Sequence, residues 1–221
     1  MAETSKPVIG IIGGTGDLGS GLARAWASAG YSVVIGSRSA EKAADAAAQL
    51  GAGVRGQTNV GAAEAADIII LAVPFSNHAA SIEEIRSAVQ GKILVDAAVP
   101  LVPPKVSKVQ LPEEGSAAQI AQALLGEGVR VVSAFHNVGA AKLHKGGRAD
   151  CDVLVFSDDK DARDQVIALA GAVANRGVGG GSLANSAAAE ALTSVLIWIN
   201  RQYKVLGAGI AITGLEDAAQ A

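Results

Sequence analysis

Three glycines near the start of the chain have the spacing of a phosphate cradle. In Val8-Ile9-Gly10-Ile11-Ile12-Gly13-Gly14-Thr15-Gly16-Asp17-Leu18-Gly19, the residues Gly14, Gly16 and Gly19 fit G-x-G-x-x-G between an apolar run and a helical pattern. Gly14 is expected to make the tight turn, Gly16 to let the backbone approach a pyrophosphate, and Gly19 to let helix and strand pack closely. The helix N-terminus would add oriented N–H groups and a positive dipole end. About twenty residues past such glycines, a site for NAD carries Asp or Glu to hold the ribose diol. Here Val33-Val34-Ile35-Gly36 ends in Ser37-Arg38, with no carboxylate before Glu41. Arg38 can stack on adenine and pair with a 2′-phosphate, and Ser37 can donate a hydrogen bond. Lys42 adds a charge one helical turn on, and Thr15 can donate a further bond. The pattern selects NADP(H) over NAD. Gly36 is expected to let the second strand end close to a ribose.

Groups for proton transfer are scarce by comparison. A short-chain dehydrogenase needs Tyr with Lys four residues later, but Tyr31 and Tyr203 are followed at that spacing by Ile35 and Gly207. The long helix after the sheet, Asn185 to Arg201, holds no Lys of the kind hydroxy-acid dehydrogenases place there. His78, His136 and His144 are the only histidines, none has an i+3 or i+4 partner suited to a metal, and no G-x-S-x-G elbow is present. No metal is expected. Such thin acid–base equipment suits a direct hydride transfer between two stacked rings, which the protein mainly positions; the alternatives are an NADPH-dependent reductase of a flavin, ferric chelate, quinone or imine, or a non-enzymatic NADP(H)-binding regulator.

The elements that must position these residues follow from apolar periodicity. Val8-Ile12, Val33-Ile35, Ile68-Val73, Ile93-Val95, Val131-Ala134 and Val153-Phe156 are continuous apolar runs and predict strands of a buried parallel sheet. Asp17-Ala29, Ala40-Leu50, His78-Val89 and Ser116-Leu125 predict the helices between them, and Asp161-Ala174 a later one. The alternation implies an α/β Rossmann fold, a doubly wound sheet with right-handed crossovers. Val99-Pro112 is expected to be an ordered loop and Arg176-Gly181 a Gly-rich connection. Asn185-Leu206 is expected to be one long helix with Asn185 or Ser186 as N-cap. The expected division is a dinucleotide-binding domain over 1–158 and a small, mainly helical part over 159–221 that completes the site.

Composition narrows the class. The 221 residues carry 18 basic and 21 acidic side chains, a net charge of -3, which argues against nucleic acid as a partner. Ala accounts for 45 residues and Gly for 27, while three Phe, two Trp and two Tyr leave few aromatics for a partner-gripping surface. The lone Cys151 excludes an intrachain disulfide and is expected to be inert between Asp150 and Asp152. The apolar stretch Val195-Ile212 is broken by Asn200, Arg201, Gln202 and Lys204, so no membrane span is expected. A cytoplasmic enzyme is the expectation, and the Ala-rich helix from Asn185 offers a homodimer surface.

Several segments together resemble the NADPH-dependent reductases of coenzyme F-420 (F420), a deazaflavin. They are Gly13-Gly14-Thr15-Gly16-Asp17-Leu18-Gly19, Gly36-Ser37-Arg38 with Glu41-Lys42, and Ala72-Val73-Pro74. The same holds for Gly115-Ser116-Ala117-Ala118, Val132-Ser133-Ala134-Phe135-His136-Asn137-Val138, and Leu183-Ala184-Asn185-Ser186 with Glu190-Ala191-Leu192-Thr193. The resemblance implies NADPH held by Thr15, Gly16, Asp17, Leu18, Ser37, Arg38 and Lys42, with Val73 and Pro74 beside the nicotinamide ribose. It implies a deazaflavin stacked on the nicotinamide against His136, Asn137 and Val138, with Val138 as the apolar wall and the Gly207-Ala208-Gly209 region nearby. His78, at a loop-to-helix junction by the nicotinamide edge, is expected either to cap the helix or to contact a ribose. Lys142, Lys145 and Arg148 are expected to be a solvated face rather than a contact for the acceptor's acidic tail.

Overall fold

The computed structural model describes residues 6–146 and 148–215. Its frame is a six-stranded parallel sheet in the order β3-β2-β1-β4-β5-β6. The strands are β1 (Ile9–Ile12), β2 (Val33–Ser37), β3 (Val54–Thr58), β4 (Ile68–Leu71), β5 (Ile93–Asp96) and β6 (Arg130–Ser133). Their apolar runs are continuous because both faces are covered. Ile9, Ile11, Val33, Ile35, Ile68 and Ile70 belong to one core layer, while Ile12, Val34, Ile69 and Leu71 belong to the other. On the first face lie α1 (Asp17–Ser28), α2 (Ala40–Leu50) and α7 (Lys160–Val173), through Trp26, Ala47 and Val166. On the second lie α3 (Asn59–Ala65), α4 (His78–Ile85) and α5 (Ala117–Leu125), through Ala62, Ile82 and Ala121. The architecture is the expected doubly wound one.

Three strands differ from expectation. The predicted sixth strand at Val153-Phe156 is not part of this sheet. Val153 to Val155 belong to β7 (Ala149–Val155), which pairs in parallel with β8 (Ala174–Gly179) as a two-stranded sheet, and Phe156 alone bridges antiparallel to Ser133 at the end of β6. β8 in turn occupies most of the segment read as a Gly-rich connection. Its Gly177 is required because a Cβ there would lie 2.6 Å from the Ile167 carbonyl oxygen of α7. The main sheet's remaining strand is β3, an edge strand whose sequence Val-Arg-Gly-Gln-Thr lacks an apolar run because little of it is buried. α3 and α6 (Ala140–Gly146) were not expected either.

The long C-terminal helix is α8 (Ser186–Tyr203), preceded by a 3-10 turn at Leu183–Asn185 and ended by Lys204 in a left-handed conformation with φ 53°. Neither expected N-cap acts as one. Asn185 donates from Nδ2 to the Gly180 carbonyl, 2.9 Å, and Ser186 donates to Ser116 Oγ, 2.8 Å. The start of α8 is therefore held by tertiary bonds. Trp26 joins α1 to the later elements: its ring donates to the Leu169 carbonyl and meets Phe135 edge-on, 5.5 Å between centroids.

Candidate functional site

The glycine turn after β1 opens onto a groove of about 300 Å³ at the C-terminal edge of the sheet. Gly13, not Gly14, makes the tight turn: its φ is 79°, and a Cβ there would lie 2.6 Å from the Ala72 carbonyl oxygen. Gly14 is needed for a different reason, since its Cβ would collide with Ile35 of β2 at 2.5 Å. Gly19 allows the close approach of α1, as its Cβ would lie 2.6 Å from the Gly13 carbonyl oxygen. The first bond from the start of α1 is Ser20 N–H to the Gly16 carbonyl, and no side chain caps the helix. The N–H groups of Asp17, Leu18 and Gly19 therefore have no carbonyl ahead of them in the helix. This is an anion cradle of the kind a pyrophosphate fits.

Thr15, Gly16, Ser37 and Arg38 line the groove on the side of β1 and β2, and Val73 and Pro74 line its floor. Arg38 is exposed and makes no ion pair or hydrogen bond among the described residues, so its five donors face solvent. Lys42 is exposed one turn into α2 and outside the lining. The side chains of Asp17 and Leu18 point away from service in the groove. Asp17 is exposed with its carbonyl bonded to the His144 ring, and Leu18 packs on the core. Gly36 does not open space for a ribose. It makes room for α3, whose Asn59 Oδ1 would stand 2.9 Å from a Cβ at that position.

His78 is corrected outright. It is 1% exposed and neither caps α4 nor lines the groove; its Nε2 donates to Asp96 Oδ2 at 2.6 Å. A histidine facing inward to a carboxylate has no surface for a ribose. The Asp96 carboxylate also accepts from the Ala98 N–H, 2.9 Å, and so ties the end of β5 to α4.

The segment after β6 is a strained turn. Phe135 adopts φ 70°, a left-handed conformation that costs a bulky residue about 1–2 kcal/mol, and its ring is buried against Trp26. His136, Asn137 and Val138 follow at 7%, 7% and 9% exposure and contribute nothing to the lining of the groove. His136 Nε2 contacts Ser133 Oγ at 3.1 Å, and burial pulls its pKa down from 6.5 to about 4, against a pull upward from Asp96. Asn137 turns its amide inward, donating to the Ala189 carbonyl and to Thr193 Oγ1 of α8.

The elements around this turn depend on residues that spacing alone did not single out. Glu190 of α8 is buried and accepts from the N–H groups of Ala117 and Ala118 at the start of α5, 2.7 and 3.3 Å. Burial pushes its pKa up to about 7. Thr193 donates to the His136 carbonyl, 3.1 Å. Ser186, Glu190 and Thr193, spaced i, i+4 and i+7, form one polar stripe along α8 that fastens it to α5 and to the His136 turn. The signal was present as a buried-face spacing, but Ser, Glu and Thr at that spacing also read as a solvated face.

Farther along, Gly209 packs on β7, where its Cβ would strike Cys151 Cβ at 2.5 Å. The 207–212 segment is clasped there: the Asp152 N–H donates to the Ile210 carbonyl, and the Asp152 carboxylate accepts from the Ile212 N–H and Arg176. Cys151 is 3% exposed, with its thiol pKa raised chiefly by burial and further by Asp150 and Asp152. The basic cluster is committed in part, Lys142 to Asp150 and Arg148 to the carbonyls of Ala172 and Ala174.

Comparisons with known proteins agree with this geometry. Residues 8–100 match the family model described as NADP oxidoreductase coenzyme F420-dependent. The F420-dependent NADP reductase of Methanothermobacter marburgensis is 39% identical over 222 residues, covering 95% of this chain and 99% of that protein. The protein of the same name from Methanocaldococcus jannaschii is 38% identical, covering 94% and 99%. A crystal structure from Arthrobacter sp. FB24, described as a candidate F420-dependent NADP reductase, superposes with a TM-score of 0.76 at 26% identity, covering 94% of this chain and all of that one. With such identity sustained from end to end, this chain belongs to the family of F420-dependent NADP reductases.

Proposed function

We propose that the protein transfers a hydride directly between NADP(H) and coenzyme F420. The observation that carries this reading is the contrast between the two sides of the site. The near side is a donor surface whose N–H groups at the start of α1 and whose Arg38 have no partner among the described residues. It suits a pyrophosphate and a 2′-phosphate. The far side is chemically quiet. His136 stays uncharged at neutral pH because burial holds its pKa near 4, and Glu190 spends its carboxylate on α5. A site of this kind orients rings and excludes water rather than moving protons to an alcohol.

In this reading Thr15, Gly16 and the N–H groups of Asp17 and Leu18 hold the pyrophosphate. Gly14 and Gly19 allow the cradle's close packing, and Ser37, Arg38 and Lys42 take the 2′-phosphate. Val73 and Pro74 border the nicotinamide ribose. The edge of the His136-Asn137-Val138 turn, with Val138 foremost, supports the second ring, and the segment around Gly209 backs it. From NADPH to F420, NADPH supplies the hydride and solvent the accompanying proton; in the reverse direction the reduced deazaflavin supplies the hydride and releases the proton to solvent. Residues 159–221 complete the acceptor side against the dinucleotide-binding part at 1–158; of these, 216–221 lie outside the described residues.

The working unit is a homodimer formed through α8. Its outer face presents Val195, Trp198 and Tyr203 at 43%, 50% and 67% exposure. The loop bearing Val109 and Leu111 reaches the same helix at Lys108, whose carbonyl accepts from Ser194, 3.4 Å. An apolar face of this kind suits a self-complementary partner. The enzyme works in the cytoplasm; no helix among the described residues is long and apolar enough to cross a membrane.

The test is spectroscopic. Oxidised F420 mixed with the protein and NADPH loses its deazaflavin absorbance as NADPH is consumed one for one. Tight NADPH binding without any such bleaching, or bleaching only of free flavin, removes the F420 reading.

A further inference from the structure

Among the described residues that line the groove suited to NADP(H) there is one carboxylate, Glu84 of α4, in company with Ser37 and Arg38. A negative group is out of place in a groove for a ligand with a pyrophosphate and a 2′-phosphate, unless it meets a part of the ligand that is neutral and donates hydrogen bonds. Glu84 is not there as half of an ion pair. Its one bond among the described residues is from Asn59, whose Nδ2 donates to Glu84 Oε2 at 2.9 Å.

Asn59 itself is only 5% exposed, and its Oδ1 is a buried side-chain oxygen without a hydrogen-bond partner. Buried polar atoms left unpaired cost free energy and call for a reason. Oδ1 faces the space left by the missing Cβ of Gly36, and the carboxylate of Glu84, which can only accept, sets the amide with Nδ2 toward it. The arrangement gives up a bond at Oδ1 and in return fixes the carboxylate at the groove wall.

We infer that Glu84, held in place by Asn59, is the hydrogen-bond acceptor for the adenosine half of the dinucleotide. The inference rests on reading this groove as the NADP(H) site. The adenosine half offers two kinds of neutral donor, the 6-amino group of adenine and the ribose hydroxyl. Arg38 and Ser37 as donors to the 2′-phosphate and Glu84 as acceptor from the nucleoside then hold it with opposite polarity. Glu84 is a specificity determinant for the bound nucleoside, and Asn59 is a positioning residue that acts through it.

The experiment is titration calorimetry of NADPH, and of its hypoxanthine analogue lacking the 6-amino group, into the parent protein, Glu84→Gln and Glu83→Gln. Glu83 is the control: it carries the same charge one residue away, is 68% exposed at its side chain and pairs outward with Arg86. Glu84→Gln should weaken NADPH binding by about 10- to 100-fold, the range for a hydrogen bond to a charged group, while Glu83→Gln should not weaken it. The sign decides the matter. A bystander carboxylate near a polyanion would leave binding unchanged or tighter when neutralised, and that result for Glu84→Gln overturns the inference. If the parent discriminates against the hypoxanthine analogue and Glu84→Gln does not, the donor is the 6-amino group. If Glu84→Gln weakens both ligands equally, the donor is the ribose hydroxyl. Either pattern sustains the acceptor role. A parent protein without affinity for NADPH removes the groove reading, and this inference with it.

Discussion

His136 and Glu190 have opposite titration behaviour built into one buried cluster. The Glu190 carboxyl keeps its proton up to about pH 7 in the folded protein against 4.5 unfolded, because burial and the nearby Asp96 outweigh the Ala117 and Ala118 N–H groups and His78. Between those values the folded state holds the extra proton, so stability falls as pH rises. The His136 ring takes a proton near pH 4 folded but at 6.5 unfolded, so between those values stability rises with pH. From pH 4.5 to 6.5 the two effects cancel in the parent protein. Glu190→Gln should unmask the His136 effect, gaining at most about 3 kcal/mol of stability across that interval. His136→Asn should show the opposite slope, losing stability as pH rises toward 7. Urea unfolding at four pH values checks both, and flat profiles in both variants would contradict the assignment. At this scale the sequence was informative where backbone chemistry forces a residue type. Gly16 and the Ser37-Arg38 pair line the groove, while Gly14 and Gly19 serve the packing behind it. It was poor where a side chain had to choose a direction. His78, Asn137 and Glu190 are the kinds of residue that either touch a ligand or bury a hydrogen bond, and all three do the latter, because partners 18 to 73 residues away in the chain decide it.

Elements were legible in proportion to their burial. β1, β2, β4, β5 and β6 are covered on both faces and wrote continuous apolar runs; β3 at the sheet edge and the glycine-bearing β8 did not. Placing Val153-Phe156 in the main sheet failed because the apolar run identified a strand but not its partner. The junction of β1 and α1 shows how tightly two elements can constrain one another. Gly19→Ala should be disruptive although Ala favours helices, because the new Cβ meets backbone at 2.6 Å, which cannot rotate away. The expected cost is about 1–3 kcal/mol of stability, with weaker NADPH binding as the cradle shifts. Thermal unfolding with and without NADPH measures both, and an unchanged melting temperature with unchanged ligand-induced stabilisation would refute the packing argument. α8 carries a similar lesson. Its helical pattern was plain, but the bonds of Ser186, Glu190 and Thr193 to α5 and the His136 turn were visible only once the sheet had brought those segments together.

For the whole molecule, the Ala and Gly excess has a geometric use: small side chains let helices lie close on both faces of the sheet. The scarcity of aromatics places Trp198 and Tyr203 in a different light, since two of the chain's few large rings are spent on an exposed helix face. If α8 carries the proposed homodimer, Trp198→Glu should leave the fold intact and yield a monomer where the parent is a dimer, read by light scattering coupled to size exclusion. A parent protein already monomeric at micromolar concentration would rule out the α8 interface. The strand order has a further consequence for assembly in time. Of the six strands β1 leaves the ribosome first yet lies between β2 and β4, and its end at Ile12, next to the Gly13 turn, is bonded by the Ala72 N–H beyond β4. A nascent chain must therefore carry the earliest-made strand unfinished until residue 72 has emerged, and only then can the phosphate cradle take its shape.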